Sequence, residues 1–135
     1  MVPGSAVLEA NDGGMLDRHA CYELCVQSPR HVVSLLRAVH GNEPTRLRED
    51  FCGTAAVSRR FALEAKQAGH DAWAVAIDLD REVVERAAAE VGKEGVSDRV
   101  RVLRGDCLDE PPAGDERADV IFVGNFSVCY IYDRG

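Results

Sequence analysis

No stretch of this sequence is apolar for the ~20 residues that a membrane-crossing helix needs. The N-terminus also lacks a basic region followed by an apolar core, so no secretory signal is expected. Cys-x-x-Cys pairs are missing. The five cysteines are Cys21, Cys25, Cys52, Cys107 and Cys129, and an odd count without a secretory signal points to reduced thiols in the cytoplasm. Cys21 and Cys25 stand one helical turn apart, yet no His or Cys completes a zinc set. They read as small buried hydrophobes on one helix face. Positive charge is also scarce: 16 Lys and Arg stand against 23 Asp and Glu, a net charge of -7. That argues against general affinity for nucleic acid, although a further part of the protein could supply a basic patch. No histidine is placed for catalysis, since His19, His31, His40 and His70 fall in helices or at their ends and read as surface residues. Neither a nucleophile–base pair nor a metal cluster stands out.

What is present suits one soluble globular domain. The chain has 135 residues, 46% hydrophobic and 29% charged, enough for a real core. Residues 1–14 are polar and small, ending in Gly13-Gly14, and read as a mobile tail. The domain is expected over 15–135. A first helix is expected over 15–26 and a second from Ser28-Pro29, a strong helix start, to Gly41. The second carries Val32, Val33, Leu35, Leu36 and Val39 at helical spacing.

The stretch from Arg46 to Ala56 organises the rest. It reads as a strand, Leu47 to Phe51, then a small-residue turn and the start of a helix over 55–68. Such a turn presents backbone N–H groups and a helix dipole, which is how α/β proteins build nucleotide sites. Arg48, Glu49 and Asp50 stand in a row where a buried parallel strand should be apolar. Unpaired buried charge is costly, so the three are placed at the strand's carboxyl end, with Arg48 and Asp50 paired on one face. A second strand, 72–77, leads to Asp78-Leu79-Asp80, with Asp80 the N-cap of a helix over 81–91 that Gly92 and Gly95 break. A third strand, 100–103, leads to Gly105-Asp106-Cys107. A loop with Pro111, Pro112 and Gly114 precedes a fourth strand, 119–123, and then Gly124-Asn125-Phe126-Ser127. The order implies a parallel sheet with right-handed crossovers.

Three strands thus end in an acid: Glu49, Asp78 and Asp106. Ligand contacts in such half-domains come from the carboxyl ends of successive strands. The two oxygens of Asp78 suit the two hydroxyls of a ribose, while Asp106 could instead be a turn aspartate bonding its own loop. Gly53 lets the backbone approach a ligand where a Cβ would intrude.

The run Glu49-Asp50-Phe51-Cys52-Gly53-Thr54-Ala55 resembles the first motif of the class I S-adenosylmethionine-dependent methyltransferases, acidic-x-Gly-x-Gly-x-Gly. The acid and Gly53 match; Phe51 and Ala55 replace the first and third glycines. The wording Leu-Arg-Glu-Asp-Phe-Cys-Gly-Thr-Ala is similar to a bacterial subgroup of these enzymes. The resemblance runs from about Tyr22 to the last residue. It implies a Rossmann-like α/β fold, here truncated after the fourth strand and preceded by two helices. It implies S-adenosylmethionine as cofactor, with Glu49 near its ammonium group, Phe51 and Gly53 in the first turn, and Asp78 and Leu79 at the ribose. Asp106 would accept from the adenine amino group and the Cys107 N–H would meet a ring nitrogen. Asn125 stands at the family's fourth motif beside the transferring methyl, and Tyr22 and Gln27 would contact the cofactor from an N-terminal lid.

The implied activity is methyl transfer to an acceptor that the sequence does not identify; the catalytic residues and oligomeric state are likewise open. Alignment of donor and acceptor suffices when the sulfonium is already activated. One alternative is an NAD(P)-dependent oxidoreductase, but residues 51–56 hold one glycine and no Tyr-x-x-x-Lys pair is present. Another is a non-catalytic module that binds the cofactor or a partner. A doubly wound domain normally continues beyond a fourth strand with further strands that carry the acceptor pocket. The chain is therefore expected to be a fragment that does not turn over alone, with Ile121, Phe122, Val123, Phe126, Val128, Tyr130, Ile131 and Tyr132 uncovered.

Overall fold

The computed structural model of this chain describes residues 17–19, 21, 28–109, 117–124 and 127–130. Helix α1 spans Pro29–His40, strand β1 Arg46–Asp50, helix α2 Ala56–Ala68 and strand β2 Trp73–Asp78. Helix α3 follows over Arg81–Lys93, then β3 over Val100–Arg104, β4 over Val120–Val123 and a 3-10 turn over Ser127–Tyr130. Of the helix expected over 15–26, residues 18, 19 and 21 are helical, and the rest lies outside the described residues.

Local chemistry sets the helix ends. Pro29 opens α1 with its fixed φ, and Gly41, left-handed at φ 76, ends it with its N–H on the Arg37 carbonyl at 3.1 Å. Ser28 sits at the N-cap position in an extended conformation, but its hydroxyl makes no cap bond. Gly69 ends α2 in the same left-handed way, at φ 72. Asp80 caps α3, its Oδ1 accepting from the Glu82 N–H at 2.9 Å and the Val83 N–H at 3.4 Å. Gly92 does not break α3 as expected. The helix runs on to Lys93, because docking of Val91 against Ala62, Val96 and Val100 outweighs the ~1 kcal/mol that glycine costs in a helix.

The strands form one parallel sheet in the order β3-β2-β1-β4. Leu47 and Glu49 share one face of β1, and in register with them stand Ala74 and Ala76 of β2 and Val120 and Phe122 of β4. This face carries the core. Val33 of α1 and Val57, Phe61 and Ala65 of α2 pack on Leu47 and Ala74, with Val120 and Phe122 at the margin. Ala87 of α3 joins Cys52, Ala55 and Ala76 in a second cluster. Burying Leu47 and Phe61, at 1% and 2% exposure, stabilises the fold by roughly 1.5–3 kcal/mol each. Alternation puts Arg46, Arg48 and Asp50 on the other face, where the Arg46 guanidinium lies 5.9 Å from the Trp73 ring.

Arg37 ties α1 to α2, pairing with Glu64 and standing 5.7 Å from the Phe61 ring. Leu35 and Val39, read as part of the apolar run of α1, are 60% and 78% exposed. Ala68 at the end of α2 and Ala88 of α3 are exposed as well. One cap secures the edge where β1 and β4 start: Asp119 Oδ2 accepts from the N–H groups of Thr45 and Arg46 at 2.8 and 3.0 Å, fastening β4 beside β1. On β4, Ile121 is exposed, and so is Val128 beyond it, whereas Phe122 and Val123 are half-buried. Phe126, Ile131 and Tyr132 lie outside the described residues, as does the side chain of Tyr130. Among the described residues no helix is long and apolar enough to cross a membrane.

Candidate functional site

From β1 the chain moves outward to β2 and β3, then returns to place β4 on the opposite side of β1. That reversal is a topological switch point, and in open α/β sheets the crevice outside the carboxyl ends of the strands at this point is where ligands bind. The turn between β1 and α2, residues 51–55, lies there.

The backbone of this turn is left-handed at three places: Phe51 at φ 54, Gly53 at φ 56 and Ala55 at φ 57. The two outer positions are those where the family motif has glycine. An L-residue held there costs roughly 1–2 kcal/mol, and the surrounding structure enforces it. The Cys52 N–H bonds the Ile77 carbonyl at 2.9 Å, the Ala55 N–H bonds the Cys52 carbonyl at 2.9 Å, and Ala55 is wholly buried. The replacements thus keep the glycine conformation of the turn. Around Gly53 no heavy atom lies within 4 Å of an added Cβ, so the turn faces open space there.

Each acid at a strand end has structural partners. Glu49, 4% exposed, accepts through Oε2 from the Ser58 N–H at 2.9 Å and the Ser58 hydroxyl at 2.6 Å. The first turn of α2 contains no acid of its own, so Glu49 supplies the negative charge that this helix N-terminus favours. Asp78 spans two loops: its Oδ2 accepts from the Gly53 N–H at 3.0 Å and its Oδ1 from the Asp80 N–H at 3.0 Å. It is half-buried, and a carboxylate has further lone pairs for a ligand. Asp106 is exposed, and its Oδ1 accepts from the Leu108 N–H at 2.9 Å, the turn arrangement weighed above. Leu79 is 59% exposed beside Asp78. Tyr22, Gln27 and Asn125 lie outside the described residues. The N-terminal segment does meet α3, where Asp17 pairs with Arg86.

Arg48 and Asp50 pair as expected, Nε to Oδ1 at 2.7 Å, and Arg48 Nη2 also donates to the Cys107 carbonyl at 2.6 Å. Arg59, 5% exposed, donates to the Thr54 carbonyl at 3.0 Å and pairs with Glu94 beyond α3, bracing the turn from behind. Ser58 and Arg59 were not singled out in the sequence. The available signal was a helix start without an acid, next to a strand with one too many.

The environment of both nearby thiols disfavours the thiolate. Burial pushes the Cys52 thiol far above its ordinary value, reinforced by Glu49 and Asp78. Burial raises Cys107 too, with Asp50 and Asp106 adding to it. What the arrangement offers is a glycine turn, a bidentate acceptor on β2 and an exposed acid loop on β3. These suit holding a polar nucleoside-like ligand. A cavity of about 390 Å³ at the opposite end of β2 and β3, lined by Trp73, Ser97, Arg99 and Arg101, is remote from these acids.

Comparisons with known proteins bear on the family and the fold. Residues 51–134 match the profile of a family described as a methyltransferase domain, more than half of the chain. Searching curated proteins by sequence gives no match. Among solved structures, one similar chain is an RNA methyltransferase from Salinibacter ruber in complex with S-adenosyl-L-homocysteine. It is 24% identical, with a TM-score of 0.57 over 73% of this chain and 60% of that one. S-adenosylmethionine-dependent methyltransferases from Thiobacillus denitrificans and Geobacter sulfurreducens, in complex with the same product, are 21% and 23% identical, with TM-scores of 0.57 and 0.55. The alignments cover 78% and 75% of this chain, and 42% and 40% of theirs. This chain therefore spans 60% of the length of the first and about two fifths of the others. At these identities the likeness is one of fold.

Proposed function

The chain belongs to the methyltransferase-domain family, and from that premise we propose that it is a class I S-adenosylmethionine-dependent member that binds the cofactor across the carboxyl ends of β1, β2 and β3. It thereby supplies the cofactor-binding half of an enzyme that methylates an acceptor. The family sets the nicotinamide reading aside. The observation that carries the proposal is the open, left-handed Gly53 held to Asp78 at the switch point. When bound, the cofactor supplies a methyl group already activated on a sulfonium. This chain's own residues would hold it: the Gly53 turn along the amino-acid portion, Asp78 toward the ribose hydroxyls, and the Asp106–Cys107 loop toward the adenine.

Glu49 would act near the ammonium group through its negative potential, since its Oε2 is engaged by Ser58. Its larger task is to seat α2, whose N-terminus frames the site. The net charge of -7 weighs against a nucleic-acid acceptor held by this chain alone. A cytoplasmic setting is part of the same proposal, supported by the free cysteines Cys21, Cys52, Cys107 and Cys129.

Titration calorimetry with S-adenosylhomocysteine tests the cofactor reading. Binding is expected, and Asp78→Asn should weaken it by about 1–3 kcal/mol, the cost of an unpaired hydroxyl. Asparagine is the better probe than alanine because its amide oxygen still accepts from one of the two loop N–H groups. A parent chain that ignores the ligand would refute the proposal, and equal affinity in Asp78→Asn would refute the ribose assignment. Methyl transfer by the full-length gene product, assayed with labelled S-adenosylmethionine, separates an enzyme from a binding module.

A further inference from the structure

The loop after β3 is exposed at Asp106, Leu108 and Asp109 and half-buried at Cys107. Its internal bonds, Leu108 N–H to Asp106 Oδ1 and Asp109 N–H to the Asp106 carbonyl at 3.1 Å, shape the loop but do not attach it. Among the described residues, two bonds tie residues 105–109 to the rest of the sheet. Gly105 N–H donates to the Asp78 carbonyl at 3.0 Å, continuing the β2–β3 ladder, and Arg48 Nη2 donates to the Cys107 carbonyl at 2.6 Å. The second is the unusual one. Arg48 belongs to the central strand β1, and its side chain spans β2 to reach a loop 59 positions further along the chain.

Arg48 is itself held in place. Its Nε donates to Asp50 Oδ1 at 2.7 Å, and the side chains are 19% and 10% exposed. Water competes poorly for groups so covered. A planar guanidinium can address two acceptors at once in fixed geometry, which an ammonium cannot. Burying such a pair recovers little net stability, because desolvation offsets most of the attraction. The arrangement makes more sense as a device that fixes geometry than as one that adds stability.

We propose that Arg48 is a positioning residue that fixes the loop after β3 against the ligand crevice through its hold on the Cys107 carbonyl. Asp50 is the counter-charge that keeps the guanidinium aimed. In the proposed cofactor site, on which this assignment of purpose rests, the strut sets where Asp106 and the Cys107 N–H stand relative to the adenine.

The loop carries its own reporter, the Cys107 thiol. Site-resolved alkylation of Cys107 by iodoacetamide, read by mass spectrometry on the ligand-free chain, should be several-fold faster in Arg48→Met than in the parent. The sign is informative. Arg48 lowers the Cys107 pKa, while burial and Asp50 raise it, so losing the positive charge with the loop still in place would slow the reaction. Only release of the loop speeds it. Arg37→Met, which removes an arginine bridge between α1 and α2, should leave the Cys107 rate unchanged. An unchanged or slower rate in Arg48→Met would overturn the proposal. If that variant does not fold, Arg48→Lys decides by the same comparison, since one ammonium cannot hold both acceptors and a faster rate is again expected. Affinity for S-adenosylhomocysteine should fall about tenfold in Arg48→Met, as for loss of one hydrogen bond to a charged group. A parent that binds no S-adenosylhomocysteine refutes the cofactor site, while the alkylation comparison still judges the strut.

Discussion

Substituting Gly53 by alanine separates the cost to the fold from the cost to the ligand. At φ 56 the added methyl group makes the left-handed conformation unfavourable by roughly 1–2 kcal/mol. The methyl itself collides with nothing, because no heavy atom lies within 4 Å of its position. The bond from the backbone N–H of residue 53 to Asp78 Oδ2 survives, since alanine keeps that N–H. The melting temperature should therefore fall by roughly 4–8 °C. Gly69→Ala is the matched control: φ is 72, its added Cβ also meets nothing within 4 Å, and it lies at the far end of α2. It should show a similar thermal loss. The two should part in titration with S-adenosylhomocysteine, where Gly69→Ala binds like the parent. Gly53→Ala should lose at least about tenfold, or 1.4 kcal/mol, as the methyl occupies space the ligand needs. Equal affinities in the two variants would refute the idea that the turn approaches the ligand closely.

Two further outcomes follow from the same geometry. Ala55 is buried and left-handed at φ 57, so Ala55→Gly exchanges a lost methyl, about 0.8 kcal/mol, for a relieved backbone worth about 1 kcal/mol. Urea unfolding should find it nearly neutral, whereas Ala62→Gly, equally buried but inside α2, should cost about 2 kcal/mol; equal losses would show that Ala55 is not strained. Hydrogen bonding from the Thr45 N–H, aided by its hydroxyl and the Arg46 N–H, holds the Asp119 carboxyl below its ordinary value despite some desolvation. A depressed native pKa contributes stability that is present above the unfolded value of about 3.9 and lost as pH falls through the native one. Asp119→Asn should accordingly flatten the decline in melting temperature between about pH 5 and pH 2, and a variant that tracks the parent over that range would contradict this role.

The start of α1 at Pro29, its stop at Gly41, the stop of α2 at Gly69 and the Asp80 cap of α3 were all legible in the sequence. Each depends on residues within a turn of one another, and proline, glycine and aspartate act through their own backbone or side chain. The apolar run of β2 and the pairing of Arg48 with Asp50 were legible for the same reason, since strand alternation is local. Tertiary structure decided the rest. Phe51 and Ala55 read as departures from a glycine motif, yet both take the glycine conformation because the turn is clamped between Ile77 and the Cys52–Ala55 cluster. Gly92 read as a helix breaker and is not one, because Val91 docks on the sheet side of α3. Glu49 could be placed at a strand end, but not onto Ser58, and nothing local connects Arg48 with Cys107. Those contacts exist only once α2 docks on β1 and the loop after β3 is brought beside the sheet. Long-range hydrogen bonds are chosen by the geometry of assembled elements, and no residue's own conformational preference encodes them.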